Sequence, residues 1–349
     1  MFIEFDKKVV YVEGEGISTS DKVPIGYYDL VFAKDSGVFL QRKTVSFDLE
    51  KKLYGRVNEI TEHVLEAYSK IKTNNLGVLF SGPKGLGKSL AISNIISRAN
   101  KPVIFVNNYF GSLPQFLSYV KDAIIVFDEF EKTMRGEIED EEEIEKQEML
   151  LPLFSGVSSF NHNLFLLSVN KDYHINSMFL SRPGRIRYHY KFKALDLDVI
   201  REYLKDNLED QSKLEEAVEC MSDSAFMSYD ILAAFVEELN LFKDKSPTSL
   251  YKDINITSST VTVETRLILK NKKGETADCF DLNEYTSTRT MLHSSVYANN
   301  DENVRYSIDM KNIRLSSCYD WTDITSCAKL AEGANWEVDK VLLKLGEFY

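Results

Sequence analysis

A glycine-rich loop between two regular segments constrains the fold of this chain more than any other feature. Residues 82–89 read Gly-Pro-Lys-Gly-Leu-Gly-Lys-Ser and fill the pattern G-x-x-x-x-G-K-[ST]. The apolar stretch Gly77–Phe80 precedes the loop, and a helical pattern from Leu90 to Arg98 follows it. Strand, loop and helix in this order are the context in which the pattern folds around phosphate groups.

The chemistry of phosphate binding explains the residue types in the loop. Glycines let the backbone curve so that successive N–H groups and the helix N-terminus point at negative charge. Lys88 is predicted to reach the β- and γ-phosphates, and Ser89 is predicted to bind Mg²⁺. The predicted phosphate-binding residues are Gly82, Pro83, Lys84, Gly85, Leu86, Gly87, Lys88, Ser89 and Leu90.

Two carboxylates follow a second apolar segment. Ala123–Phe127 is apolar throughout and leads directly into Asp128 and Glu129. A strand buried on both faces presents its first polar side chain at the carboxyl edge of a parallel sheet, where ligands bind. We therefore predict that Asp128 belongs to the Mg²⁺ shell and that Glu129 polarises the attacking water as general base.

Polar residues also follow a third apolar strand, Leu164–Val169. The strand ends at Asn170, whose neutral amide can orient the water or contact the γ-phosphate without repelling it. The alternative is an asparagine that begins a turn. Further on, Arg182 and Arg185 flank a Pro-Gly turn, which suggests two guanidinium groups held at a surface to stabilise charge on a transferred phosphoryl group.

The pattern of apolar segments predicts four regions. Short apolar strands alternate with helical stretches over 51–193, which predicts an α/β core with a parallel sheet and helices on both faces. Residues 1–50 are predicted to form an N-terminal β module, and 194–245 a small helical lid. Residues 246–349 are predicted to form a C-terminal β-rich domain ending in a helix from Trp336 to Leu345.

Composition excludes several classes of protein. The formal net charge of −12 argues against a generic binder of nucleic-acid backbone, which needs a positive face. The 4 cysteines lack zinc-site spacing and favour a reducing compartment. Because no apolar run approaches the ~18 residues of a membrane span and the first residues lack a signal-peptide pattern, a cytoplasmic location is expected.

The motifs from Gly82 to Arg185, in this order and spacing, resemble the ATPase core of the AAA+ superfamily. The Arg-Pro-Gly-Arg sequence at 182–185 resembles that of the classical AAA clade, and 150–156 resembles the family helix LLxLxDG, with Ser155 in place of the Asp. The resemblance covers residues 53–243. It implies a P-loop NTPase that binds ATP and Mg²⁺, with Arg182 and Arg185 acting on ATP of the adjacent subunit in a homo-oligomeric ring, most often a hexamer.

Three shorter matches extend the resemblance. Tyr54 and Gly55 resemble the segment that contacts adenine, and Ser228-Tyr229-Asp230 stands where the classical clade has a small-residue turn without the sensor arginine of other clades. Tyr109-Phe110-Gly111 resembles a pore loop that grips an extended polypeptide; the alternative is that Tyr109 packs in the core. The sequences of residues 128–132 and 182–188 resemble those of AAA+ ATPases encoded by tailed bacteriophages. This resemblance implies that the protein is located in the cytoplasm of a bacterial host.

We therefore expect a ring-forming ATPase that remodels, unfolds or disassembles a protein target. A loader-type ATPase in DNA replication, recombination or packaging is one alternative, and a nucleotide-gated assembly scaffold is another. Acidic side chains dominate 137–148. If this segment faced a pore it would repel DNA and favour a protein partner, whereas a run of like charge also suits a solvated loop.

Overall fold

The computed structural model of the chain describes most of its residues. They are 2–5, 8–11, 20, 22–33, 37–45, 52–134, 140–154, 161–170, 175–222, 227–254, 261–285, 291–298, 302–310, 313, 318, 320–331 and 335–345.

Strands and helices alternate in the first part of the chain. In chain order they are β1 (Phe2–Phe5), β2 (Lys8–Tyr11), β3 (Tyr27–Ala33), β4 (Gly37–Lys43), α1 (Val57–Lys70), β5 (Leu76–Ser81), α2 (Lys88–Arg98), β6 (Val103–Phe105), α3 (Leu113–Tyr119), β7 (Ile124–Phe127), α4 (Phe130–Met134), α5 (Asp140–Phe154), β8 (Leu164–Val169), α6 (Ser177–Leu180) and β9 (Tyr188–Lys191).

Helices and then strands make up the second part. They are α7 (Leu197–Asn207), α8 (Leu214–Ser222), α9 (Tyr229–Leu241), α10 (Pro247–Asp253), β10 (Val261–Asn271), β11 (Thr276–Tyr285), β12 (Met291–Ala298), β13 (Glu302–Asp309), β14 (Thr322–Asp323), β15 (Ala328–Leu330) and β16 (Trp336–Leu345).

A sheet of 7 strands in the order β4-β3-β6-β7-β8-β5-β9 forms the centre of the α/β core. Only the β3–β4 pair is antiparallel, and the other five pairs are parallel. Helices α1 and α2 cover one face of the sheet, and α3, α5 and α6 cover the other. Strands β5, β7 and β8 are buried along their whole length, which confirms the predicted α/β fold class.

The hairpin of β3 and β4 belongs to this sheet. The sequence pattern predicts it as part of a separate N-terminal module, whereas β3 pairs in parallel with β6. Without this pairing, β6 would be an unprotected edge strand although Val103 and Ile104 are fully buried. Tyr28 and Leu30 of β3 are buried as well, so the hairpin completes the core sheet. Strands β1 and β2 pair with each other as a separate two-stranded sheet.

Helices α7 to α10 form a lid with its own hydrophobic core. The lid continues past its predicted boundary at residue 245, because Ser246 caps α10. Its hydroxyl accepts a hydrogen bond from the Ser249 N–H at 3.3 Å, and Pro247 occupies the first turn, where a missing N–H is tolerated. Leu250 is buried and Tyr251 packs edge-on against Phe235 of α9, so the lid extends to Asp253.

The C-terminal region packs two antiparallel sheets around a shared core. One has the order β11-β10-β16-β14 and the other β12-β13-β15. The predicted C-terminal helix is wrong, because Trp336–Leu345 is strand β16. The register against β10 shifts between Ile268 and Leu269, and Asp339 is the extra residue on β16. This bulge breaks the alternation of apolar residues, so their spacing imitates a helix.

Among the described residues, none of the helices is both long and apolar enough to cross a membrane.

Candidate active site

The glycine-rich loop lies between β5 and α2, where the sequence places it. Gly82, Gly85 and Gly87 have φ angles of 134°, 75° and 95°, a region that residues with a Cβ rarely adopt. A Cβ at Gly82 would lie 2.1 Å from the Phe192 carbonyl oxygen, and one at Gly85 would lie 2.7 Å from Asp230 Oδ2. The close approach of other chain segments therefore requires glycine at these positions.

Lys88 is the central cation of the loop and is only 7% exposed. Its Nζ donates to the carbonyl oxygens of Gly82 at 2.5 Å and Pro83 at 2.8 Å, and to Asn170 Oδ1 at 3.2 Å. Burial lowers the pKa of Lys88, while the nearby carboxylates of Glu131 and Asp128 oppose that shift. The loop thus holds one buried ammonium group beside two carboxylates.

The predicted Mg²⁺ ligands Ser89 and Asp128 lie side by side. Ser89 Oγ is 3.3 Å from both carboxylate oxygens of Asp128. A hydroxyl and a carboxylate are oxygen ligands of the kind that Mg²⁺ prefers, with water and phosphate oxygens completing its shell. In the described part of the chain, no cluster of three His, Cys, Asp or Glu side chains could hold a metal alone. The arrangement therefore fits a cation bound together with a phosphate group.

Glu129 follows Asp128 with a strained backbone, at φ 54°. Its carboxylate accepts hydrogen bonds from Lys132 and from Asn170 Nδ2, the latter at 3.2 Å, and pairs with Lys84 at 3.3 Å. The Lys132 hydrogen bond, helped by those from Asn170 and Lys84, lowers the pKa of Glu129 to about 2. The carboxylate is therefore ionised at neutral pH, as an acceptor for a water proton must be.

Asn170 is held by a second acid, Glu131, which is 4% exposed. Glu131 Oε1 accepts from the Asn170 backbone N–H at 3.0 Å and from Asn170 Nδ2 at 2.7 Å. Asn170 thereby bridges Glu131, Glu129 and Lys88, and its amide orientation is determined on both sides. The predicted acid, amide and lysine are thus brought together at the carboxyl ends of β5, β7 and β8.

These groups line one cavity of about 410 Å³. Leu90 and the lid residues Tyr229 and Asp230 also reach it. The lining residues are Lys84, Gly85, Gly87, Lys88, Ser89, Leu90, Asp128, Glu129, Ser168, Asn170, Tyr229 and Asp230.

A second cavity of about 510 Å³ adjoins the first and contains the predicted residues Tyr54 and Gly55. The Tyr54 hydroxyl donates to Asp206 at 3.1 Å and accepts from Asn207 at 3.0 Å, which fixes it against helix α7. Leu86 of the glycine-rich loop faces this cavity and not the first one. The other lining residues include the apolar Val57, Ile60, Ala194, Leu195 and Val199.

Arg182 and Arg185 lie in the turn before β9, near the amino end of the neighbouring strand β5. The glycine-rich loop lies at the carboxyl end of β5. Arg187, just after this turn, donates its backbone N–H to Gly77 near the beginning of β5. Arg185 Nη1 donates to the Met178 carbonyl at 2.6 Å. Neither arginine lines the loop cavity, and β5, with its 6 residues, separates them from it by ~20 Å.

The aromatic residues predicted for a pore loop pack against the core. Tyr109 donates its hydroxyl to Met149 Sδ at 3.1 Å, and the Phe110 ring stacks on Phe32 with centroids 5.3 Å apart. Both side chains are partly buried against the hydrophobic core, and Gly111 is exposed. The side-chain packing of Tyr109 corresponds to the alternative given above, and the pore contact stays a prediction.

Two supporting residues, Ser168 and Glu131, are not singled out by the sequence pattern, and for two lid residues, Tyr229 and Asp230, the resemblance indicates a turn but no place in this cavity. Ser168 is a small polar residue within the otherwise apolar β8, and that interruption is its signal. Glu131 has a weaker signal, a third acid shortly after Asp128. Tyr229 and Asp230 reach the cavity from the lid, and their spacing from the loop carries no signal, because only the fold brings α9 to Gly85.

Comparison with known proteins agrees with this geometry. The profile of the family described as ATPase family associated with various cellular activities (AAA) matches residues 78–194. ATPase family gene 2 protein of Schizosaccharomyces pombe is 28% identical over 198 residues, which cover 51% of this chain and 24% of that protein. The match thus spans about a quarter of the relative's length. The matched segment 78–194 carries the phosphate-binding loop, the two acids and the arginine turn, so the chain contains a domain of the AAA ATPase family.

Proposed function

We propose that this chain is a ring-forming ATPase of the classical AAA clade that hydrolyses ATP with Mg²⁺ to remodel, unfold or disassemble a protein target. One observation supports the assembly of subunits into a ring. The cavity beside the glycine-rich loop contains Lys84 and Lys88 but no arginine among its described lining residues. The two candidate arginines lie at the far edge of the same sheet, so they are available only to the site of a neighbouring subunit.

The hydrolysis step assigns a role to each group around the loop. The backbone N–H groups of Gly85 to Ser89 and the Lys88 ammonium group bind the phosphates. Ser89 and Asp128 would hold Mg²⁺, which would neutralise negative charge on the phosphates. Glu129 accepts the proton of the attacking water, and Asn170 orients that water through its fixed amide. Arg182 and Arg185 of a neighbouring subunit stabilise the charge that develops on the transferred phosphoryl group.

Two cavities of different character support ATP as the ligand. The first is lined by the loop, the acids and Asn170, which suits a triphosphate. The second has apolar side chains and Tyr54, which suits a purine base. A single ligand with both chemical parts fits the pair of cavities, and we assign the second cavity to adenine.

The nature of the target is inferred from charge. The net charge of −12 disfavours a nucleic-acid target, because phosphate backbones require positive surface. We propose a polypeptide target and a cytoplasmic location, with the β-rich regions outside the core recognising the target or organising the ring. Tyr109, Phe110 and the exposed Gly111 are the residues that we propose to contact the polypeptide in the pore of the ring.

ATP turnover by the full chain and by Glu129→Gln tests the proposal. We expect wild type to hydrolyse ATP and Glu129→Gln to bind ATP while turning it over at least ~100-fold more slowly. The trapped variant should form ATP-dependent oligomers that retain a bound protein. Turnover that requires DNA and falls steeply with added salt would support the loader alternative instead. Slow turnover with ATP-dependent assembly and no bound protein would support a scaffold.

A further inference from the structure

Tyr229 stands between the two cavities of the candidate site. Among the described residues that line either cavity, it is the only one that lines both. A ligand that fills the phosphate cavity at one end and the apolar cavity at the other must pass this side chain. The sequence at this position is a tyrosine where the resemblance implies a small residue, so this chain places an aromatic ring at this point.

The backbone of Tyr229 is attached to the phosphate-binding loop. Tyr229 is the first residue of α9, and its N–H donates to the Gly85 carbonyl at 2.9 Å. Ser228 caps the helix by accepting from the Ile231 N–H at 3.3 Å. Helix α9 is therefore anchored to the loop through backbone atoms, and a substitution of the Tyr229 side chain leaves this hydrogen bond in place.

The side chain reaches from the loop to the segment before α1. A Cβ on Gly87 would lie 3.5 Å from Tyr229 Cε2, and a Cβ on Gly55 would lie 3.2 Å from the Tyr229 hydroxyl oxygen. The ring thus packs against the backbone at Gly87 and the hydroxyl against the backbone at Gly55, and glycine at both positions leaves room for this side chain. Tyr229 therefore lies between the phosphate-binding loop and the segment before α1, where the two cavities meet.

We propose that Tyr229 packs its ring on the sugar of bound ATP and thereby makes nucleotide affinity depend on the nucleoside as well as on the phosphates. This inference rests on the proposed function, because it assigns the second cavity to adenine. A sugar is the part of ATP that joins the polar phosphates to the flat base, so it is the part that would lie beside Tyr229, where the two cavities meet. An aromatic ring suits the apolar face of a sugar because it contributes contact area with few rotatable bonds.

The phenol group is compatible with this position. Burial raises the pKa of Tyr229 to about 12, with the carboxylates of Glu202 and Asp196 adding to the shift. The side chain is therefore neutral at working pH and does not repel the phosphates. Within the described part of the chain, the hydroxyl makes no hydrogen bond to protein, so it is available to the ligand.

The test compares two ligands that share phosphates and differ in the nucleoside. Equilibrium affinities of the full-length chain for ATP and for inorganic tripolyphosphate are measured with Mg²⁺ for wild type, Tyr229→Ala and Tyr229→Phe. We expect Tyr229→Ala to weaken ATP roughly tenfold and tripolyphosphate less than about twofold. Tyr229→Phe keeps the ring and should retain ATP affinity within about threefold.

Control variants separate this contact from damage to the fold. Tyr251→Ala removes another lid aromatic, which packs edge-on against Phe235 and lines neither cavity, and it should leave both affinities within about twofold of wild type. Tyr229→Leu provides a second replacement if the alanine variant does not fold, with the same selective loss of ATP. Folding of each variant is checked by thermal unfolding without ligand.

Each outcome has a defined meaning. An equal loss of ATP and tripolyphosphate in Tyr229→Ala would show that Tyr229 only supports the loop, and no loss of either would show that it does not touch the ligand. Both results overturn the inference while the site remains a nucleotide site. If wild type does not bind ATP, or Lys88→Ala binds both ligands as wild type does, the proposed function itself fails and the inference fails with it.

Discussion

The Ser168 hydroxyl donates a 2.6 Å hydrogen bond to the carboxylate of Asp128 and so joins strands β8 and β7 at their carboxyl ends. The same hydroxyl accepts from the Glu129 backbone N–H at 2.8 Å. One buried side chain therefore holds both the carboxylate of Asp128 and the backbone of Glu129. Such supporting hydrogen bonds decide whether metal ligands and bases are held in position before the substrate arrives.

Removal of this hydroxyl should impair use of Mg²⁺. We expect Ser168→Ala to lower ATP turnover roughly tenfold and to raise the Mg²⁺ concentration needed for half-maximal rate, because Asp128 loses its orienting partner. The measurement is turnover against Mg²⁺ concentration at saturating ATP. Ser97→Ala, which removes a hydroxyl bonded to a helix carbonyl, is the matched control and should follow the wild-type curve. An unchanged Mg²⁺ dependence in Ser168→Ala would contradict the role given to Ser168.

Glu131 should act through Asn170. In Glu131→Ala the Asn170 backbone N–H and amide lose their buried acceptor, which we expect to cost about 1–3 kcal/mol in the free energy of unfolding and to slow turnover more than it weakens ATP binding. Glu131→Gln keeps an oxygen at the acceptor position and should recover most of the turnover. Measurements of kcat and of ATP affinity for the two variants test whether Glu131 acts through its hydrogen bonds to Asn170. A loss in Glu131→Gln as large as in Glu131→Ala would indicate that the charge, and not the hydrogen bond to Asn170, is required.

Gly77 connects β5 to the arginine turn. A Cβ there would lie 2.3 Å from the Arg185 carbonyl oxygen and 3.1 Å from the Ile186 side chain. Gly77→Ala should therefore destabilise the fold by about 1–3 kcal/mol, measured as a lower thermal unfolding midpoint, because packed backbone must move. Gly184→Ala, in the same turn with open space around it, should unfold within about 0.5 kcal/mol of wild type. Equal stability of Gly77→Ala and wild type would mean that the turn does not pack against β5 as described.

The sequence predicts the core of the site because its signals are local. Predominantly apolar strands that end in polar residues identify Asp128, Glu129 and Asn170, and the structure places these residues at one edge of the sheet. Fully buried parallel strands leave only their ends for polar chemistry. The fold class is predictable for the same reason.

Features that depend on contacts between distant segments are not predictable in this way. Strand β16 has a bulge at Asp339, and the resulting spacing of apolar residues resembles a helix until its pairing with β10 is known. The β3–β4 hairpin has a local signal for its turn but none for its pairing with β6. Tyr229 likewise gains its position from the docking of α9 on Gly85, which the sequence does not encode as a motif.

Complementation between two inactive variants tests the central claim most directly. Lys88→Ala has a defective phosphate-binding loop and intact arginines, whereas Arg185→Ala has an intact loop and a defective arginine turn. Alone, each should hydrolyse ATP slower than wild type by a factor on the order of a thousand. If arginines complete the site of a neighbouring subunit, co-assembled mixtures of the two variants should regain a substantial part of wild-type turnover. Mixtures as inactive as either variant alone, although shown to co-assemble, would contradict a site shared between subunits.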